Sequence, residues 1–298
     1  MTHPVRVSFE FFPPTDDIAA AQLWSAVEQL APLRPQFVSI TYGADGSTRT
    51  RTHDCVQRIL RETSLTVAPH LTCVDASREE ILSIAAGYWR EGIRHMVALR
   101  GDPAGDATSN PWGSRRYEPC PGGFAYASDL VGGLTTVAPF EVSVAAYPEG
   151  HPESGTVEAD IDNLQRKVDA GARRAITQFF FDTDTFLRYR DRCAARGINA
   201  AIVPGILPIT RFPQLVRFAT RCGASVPDWL IQRFDGLDDD PQTRSMIAAN
   251  VAIEQVQRLR QHGIEEFHFY TLNRAELTYA ICHALGVRPQ SAPRTRVA

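Results

Sequence analysis

Lysine is almost missing from this chain. Of 31 basic residues 30 are arginine, so Lys167 is the one side chain able to form a Schiff base with a carbonyl substrate. It falls inside a helical pattern and not at a strand end, which argues against that chemistry. No run of eighteen apolar residues occurs, so no membrane-spanning helix is expected. Met1-Thr2-His3-Pro4 leads straight into a strand pattern without a charged-then-apolar leader, and a cytoplasmic location is the expectation. The six cysteines contain no C-x-x-C pair, so they suggest neither a zinc site nor a disulfide framework. H-x-H and H-E-x-x-H are both absent, and no metal centre is expected. The net charge of −3 lacks the basic excess that neutralises phosphates, which excludes nucleic acid as an expected partner. G-x-G-x-x-G does not follow the first strand, which disfavours a doubly wound dinucleotide fold.

What is present is an alternation of two hydrophobic periods. Short β-branched or aromatic runs at 5–12, 37–42, 66–73, 95–100, 141–147, 174–181, 200–206 and 266–271 read as eight strands. Helical patterns lie at 18–33, 50–63, 77–92, 127–137, 157–171, 183–196, 211–222, 241–262 and 274–285. Ser77 with Glu80 forms a capping-box signal, and Gly92, Gly171, Gly197, Gly223 and Gly263 mark helix ends. Eight strand-helix alternations without an internal linker predict an α/β fold, a single (β/α)8 TIM barrel with long βα loops. The barrel is expected over 1–287, with a disordered tail at 288–298. Insertions at 103–125 and 224–240 read as lids, the second with a short helix near Pro227-Asp228-Trp229-Leu230.

Barrel chemistry collects at the C-terminal ends of the strands, so polar residues there are the candidates. Alternation puts Ser8, Glu10 and Phe12 on one side of the first strand, with Glu10 facing the barrel interior. Desolvation is expected to raise its pKa, as a general acid requires; a structural Glu paired with Arg is the plainer reading. Later strand ends carry Thr41-Tyr42-Gly43-Ala44, His70 with Thr72, Arg100-Gly101-Asp102, and Tyr147 through Ser154. His70 also reads as a satisfied core histidine, and Asp102 as a loop cap. Gln178 among Phe179, Phe180 and Phe181 needs a polar partner, and a heterocyclic ligand edge would serve. Asp160, Asn163 and Lys167 fall at i, i+3 and i+7 with Arg166 beside them, either a solvated face or an anion and ribose site.

These ordered motifs carry a resemblance. Ser8-Phe9-Glu10-Phe11-Phe12-Pro13-Pro14, Thr41-Tyr42-Gly43-Ala44, His70-Leu71-Thr72-Cys73, Leu99-Arg100-Gly101-Asp102-Pro103, Tyr147-Pro148-Glu149-Gly150-His151-Pro152-Glu153 and Phe267-His268-Phe269-Tyr270-Thr271-Leu272-Asn273-Arg274 together resemble methylenetetrahydrofolate reductases of the bacterial type, over about residues 5–288. The resemblance implies a barrel holding FAD, reduced by NADH or NADPH, that passes a hydride to 5,10-methylenetetrahydrofolate by ping-pong kinetics. It implies Glu10 as general acid and Asp102 as the carboxylate beside flavin and pterin. Cofactor contacts carry over to Thr41, Tyr42, Ala44, His70, Arg100, Gly101, Asp102, Ala127, Tyr147, His151, Asp160, Asn163, Arg166 and Lys167. Substrate contacts carry over to Gln178, Gln214, Phe218 and Arg274; Thr41 and Gln178 match nicotinamide-contacting positions. It further implies a homo-oligomer without the regulatory C-terminal domain of eukaryotic relatives. Asp45, Ser154 and the 103–125 loop with Trp112, Arg115 and Arg116 depart from the family pattern. Two other readings compete: another FAD-dependent barrel oxidoreductase resembling proline dehydrogenase, and a catalytically silent folate or flavin binder.

Overall fold

The structure, a computed structural model, describes residues 4–42, 49–102 and 117–289. Its sheet is wholly parallel, and each strand run is followed by a helix. The strands are β1 (Arg6–Phe11), β2 (Val38–Ile40), β3 (Val67–Thr72), β4 (His95–Leu99), β5 (Glu141–Ala146), β6 (Arg174–Thr177), β7 (Ala201–Val203), β8 (Gly205–Ile206) and β9 (Glu266–Tyr270).

The expected seventh strand, 200–206, is two strands. Pro204 interrupts it, because proline has no N–H to give the ladder. β7 pairs with β6, β8 pairs with β9, and Pro204 itself accepts from the His268 N–H at 3.0 Å. With β1 bonded to both β2 and β9, this single chain run joins the two ends of the sheet, which closes as a barrel.

The helices lie where the 3.6-residue periods put them: α1 (Asp17–Leu30), α2 (Arg49–Glu62), α3 (Arg78–Arg90), α4 (Ala127–Val137), α5 (Val157–Asp169), α6 (Thr183–Ala195), α7 (Phe212–Cys222), α9 (Pro241–Gln261) and α10 (Ala275–Ala284). The short α8 (Asp228–Phe234) occupies the 224–240 insertion. α3 begins with the anticipated box: Ser77 Oγ accepts from the Glu80 N–H at 3.2 Å, and Glu80 Oε2 accepts from the Ser77 N–H at 2.8 Å. α1 stops earlier than its pattern, because Ala31–Leu33 tightens into a 3-10 turn containing Pro32. β6 ends at Thr177, four residues short of expectation, so Gln178 and the three phenylalanines sit in the following loop.

Two cores follow from the period-2 alternation. Phe9, Phe11, Ile40, Leu71, Val142 and Val144 point outward and are buried beneath the helices. Inside the barrel a small apolar layer of Phe37, Ala68, Val97 and Ile176 sits among polar groups. Those groups, Ser8, Ser39, His70, His95, Ser143 and His268, are all buried. An interior this polar departs from the usual Val, Ile and Leu filling of such barrels. No helix among the described residues is long and apolar enough to cross a membrane.

Candidate active site

A cavity of about 830 Å³ opens at the C-terminal ends of β3, β4 and β5 and runs along α5. Ten of the expected cofactor residues line it: Tyr42, Arg100, Gly101, Asp102, Ala127, Tyr147, His151, Asp160, Asn163 and Lys167. The helical stripe at i, i+3 and i+7 therefore faces this cavity and not open solvent.

The walls are held by specific bonds. Asp160 is buried near the start of α5; its carboxylate accepts from the His151 N–H and from Ser154 Oγ, the latter at 2.6 Å. That pins the loop after β5, which turns at Gly150 with φ 91°, a conformation costly for any residue bearing a Cβ. The Tyr147 and His151 rings meet edge to face at 4.7 Å. Arg100 donates to Glu153 at 2.5 Å, has Asp102 at 4.0 Å, and lies over the Tyr117 ring at 4.9 Å. Lys167 reaches back to the Ala145 carbonyl at 2.9 Å, and burial pushes its ammonium down to about 8. Thr72 Oγ1 lines the cavity, is buried, and has no hydrogen-bond partner. A buried orphan hydroxyl in a cavity that Arg100 and Lys167 also line suits a polar, anionic ligand.

Glu10 sits in the barrel interior with its side chain 13% exposed. Its orientation is as expected, but its ionisation is the reverse. Burial raises the carboxyl, yet His268 and His70 outweigh that effect and lower Glu10 to about 2. His70 Nε2 lies 3.4 Å and His268 Nε2 3.6 Å from Glu10 Oε2, and hydrogen bonding together with charge attraction from the two rings holds the carboxyl down. Desolvation alone predicts a protonated acid, and it fails because the two rings come from β3 and β9, far away in the chain. The partner is also not the arginine of the plainer reading.

Other expected residues lie elsewhere. Gln178 borders a small recess with Tyr147 and Cys222, and its Oε1 accepts from the Phe179 N–H at 3.0 Å. Gln214 lies with Arg211, Arg217 and Arg244 around a separate recess of about 360 Å³. Phe218 packs against the smaller apolar cluster of Phe179, Phe181, Leu207 and Leu215. Arg274 is exposed at the start of α10, after Leu272 and Asn273 adopt positive φ. Arg166 is exposed and donates to Asn163 Oδ1, and Thr41 accepts through its carbonyl from Thr52 Oγ1 at 2.9 Å. Ala44, Asp45, Trp112, Arg115 and Arg116 fall outside the described residues. Tyr117 and Tyr126, which the strand-end pattern does not include, line the cavity, as do Thr72 and Glu153, which it does. Glu153 belongs to the quoted Tyr147–Ser154 cluster, so its signal was available; Tyr117 had none.

The family profile described as Methylenetetrahydrofolate reductase matches residues 2–286. The chain belongs to this family. It is 53% identical over 288 residues to a 5,10-methylenetetrahydrofolate reductase of Pectobacterium carotovorum subsp. carotovorum, covering 97% of this chain and 92% of that one. Identity to the Escherichia coli (strain K12) enzyme of the same description is 53% over 285 residues, 96% of this chain and 92% of that one. Methylenetetrahydrofolate reductase (NADH) 1 of Arabidopsis thaliana is 34% identical over 295 residues, 95% of this chain but 49% of the plant protein. Among solved structures, an uncharacterized Clostridium thermocellum protein that binds two copies of 5-methyl-5,6,7,8-tetrahydrofolic acid superposes with a TM-score of 0.60. That pair shares 14% identity over 96% of each chain, so the likeness concerns the fold alone. Family membership makes the chain an oxidoreductase.

Proposed function

We propose that this family member reduces 5,10-methylenetetrahydrofolate to 5-methyltetrahydrofolate, with FAD as bound cofactor and NADH or NADPH as reductant. The observation that carries the reading is the family match over residues 2–286, and the cavity with its cationic and hydroxyl lining supports it. When bound, FAD supplies a hydride carrier that one substrate reduces and the other reoxidises, which makes the kinetics ping-pong. Lys167 and Arg100 would meet its anionic diphosphate, Asp160 and Asn163 its hydroxyl-bearing chain, and Tyr42, Tyr147 and His151 its rings. The orphan Thr72 Oγ1 would find a partner there. Asp102, 57% exposed at the mouth, is free to approach a pterin.

Glu10 handles the proton. Opening the five-membered ring of the substrate requires a proton on its leaving nitrogen, and the Glu10 carboxyl supplies the oxygen through which it passes. Gln178, Gln214, Phe218 and Arg274 remain the substrate-side candidates. A cytoplasmic homo-oligomer completes the proposal.

The deciding experiment is the absorption spectrum of purified protein, followed by anaerobic titration with each nicotinamide. A flavin spectrum bleached by NADH or NADPH and restored by methylenetetrahydrofolate is expected. A colourless protein that takes up no added FAD would overturn the reading, as would a flavin that no nicotinamide reduces. Glu10→Gln should still oxidise NAD(P)H with an artificial acceptor yet lose folate reduction by about 100-fold or more. Full folate turnover by that variant removes Glu10 from the chemistry.

A further inference from the structure

The ladder between β1 and β9 ends on a side chain. Its last rung sets Glu10 opposite Tyr270, and the Thr271 N–H donates to the Glu10 carbonyl at 3.3 Å. In a parallel ladder the next rung would pair Phe12 with Leu272, the Phe12 N–H donating to the Thr271 carbonyl and the Phe12 carbonyl accepting from the Asn273 N–H. Both groups of β9 are engaged elsewhere. The Thr271 carbonyl accepts from the Arg274 N–H at 2.9 Å, and the Asn273 N–H donates to Thr271 Oγ1 at 3.1 Å. The Asn273 side chain takes the place of that rung. Its Oδ1 accepts from the Phe12 N–H at 2.8 Å, and its Nδ2 donates to the Phe12 carbonyl at 2.9 Å. One amide thus satisfies both backbone groups of Phe12.

The replacement has a backbone cost. To turn away from the ladder, Leu272 and Asn273 adopt φ of 52° and 56°. That left-handed region is open to asparagine but costly for leucine, and such strain persists where surrounding bonds over-determine it. Those bonds are present. Buried Thr271 donates through its hydroxyl to the Glu10 carbonyl at 2.6 Å, and Gln22 Nε2, on α1, donates to the Asn273 carbonyl at 3.1 Å. Thr271 and Asn273 therefore hold the backbone of β1 at Glu10 and at Phe12, on either side of Phe11. Phe12 is 41% exposed, so packing does little to fix it and the amide carries that task.

We infer that Asn273 is a positioning residue for folate reduction: its amide clamps the exit of β1 and so sets where the Glu10 carboxyl stands relative to the substrate. The role rests on the reading of Glu10 as the proton-handling group. Proton transfer depends steeply on placement, and a displacement of about 1 Å costs about 100-fold. Reduction of the cofactor by a nicotinamide takes no proton from Glu10, so the clamp bears on the folate half-reaction alone.

The test compares holoenzyme carrying Asn273→Gly or Asn273→Asp with wild type, following kcat and KM for methylenetetrahydrofolate and the NAD(P)H–acceptor reaction. Both replacements tolerate the positive φ, so they change the amide without adding strain. Glycine removes both bonds to Phe12, whereas aspartate keeps the acceptor and loses the donor. Asn273→Gly should lower kcat for folate reduction about 10- to 100-fold, with KM changed by less than about 3-fold and the acceptor reaction by less than about 2-fold. Asn273→Asp should fall between Asn273→Gly and wild type. Equal losses in both reactions, or a rise in KM alone, would overturn the inference. Should Asn273→Gly not fold, Asn273→Asp decides by the same split between kcat and the acceptor reaction. Wild-type kcat in both variants, with folate reduction lost in Glu10→Gln, would refute the clamp and leave the Glu10 reading standing. Full activity in Glu10→Gln would remove the reading beneath both.

Discussion

Replacing Lys167 with methionine should move stability and cofactor affinity in opposite directions. The Lys167 ammonium is held against the Ala145 carbonyl at 2.9 Å on the cavity wall. Burial lowers it from 10.5 to about 8, with Asp160 opposing that shift and Arg100 and Arg166 adding to it. At about 1.4 kcal/mol per tenfold, this corresponds to about 3 kcal/mol spent on keeping the charge in place. The side chain is partly open to the cavity, and water screening reduces the figure to about 1–2 kcal/mol. The unfolded chain keeps this proton up to about 10.5 while the folded chain releases it near 8. Stability therefore rises with pH between those values, and the penalty is complete below 8. Cofactor-free Lys167→Met should be about 1–2 kcal/mol more stable than wild type at pH 7, with the gap closing toward pH 10.5. FAD affinity should fall about 10- to 100-fold, the value of a charged hydrogen bond. Urea denaturation at pH 7 and 9.5, with flavin-fluorescence titration, measures both quantities. Unchanged FAD affinity would put Lys167 outside the ligand site, and a variant less stable than wild type at pH 7 would refute the burial argument.

Other perturbations test the frame around the site. A Cβ at Gly205 would collide with the Thr177 carbonyl and come within 2.6 Å of Tyr270 Cε2. Gly205→Ala should destabilise the barrel by about 2–3 kcal/mol and lower the melting temperature by several degrees, and an unchanged melt would show that the β7–β8 junction yields easily. Asp160→Ala removes the acceptor of the His151 N–H and Ser154 Oγ, at a cost of about 2–3 kcal/mol. Limited proteolysis should then cut within 147–154; protection equal to wild type would count against the pinning role.

How much of this was legible beforehand depended on the distance over which each signal acts. Period-2 alternation around Ser8 and Glu10 identified which face of β1 looks inward, and the 3.6-residue stripe placed Asp160, Asn163 and Lys167 together, because both patterns are local to one element. Ser77 and Glu80 announced the start of α3 for the same reason. Pro204 was readable as a residue unable to donate to a ladder. That it divides one chain run between the two ends of the sheet depended on ring closure.

The sequence by itself determined the alternation, the barrel class and most of the polar lining of the cavity. Tertiary structure decided the charge state of Glu10. Burial of that carboxyl could be inferred from its neighbours along the chain, and burial alone argues for a protonated acid. The opposing field comes from His70 and His268, and His268 is oriented by a serine 260 residues away. Electrostatic interactions depend on distance in space, and for these rings that distance exists only once β1, β3 and β9 share one barrel.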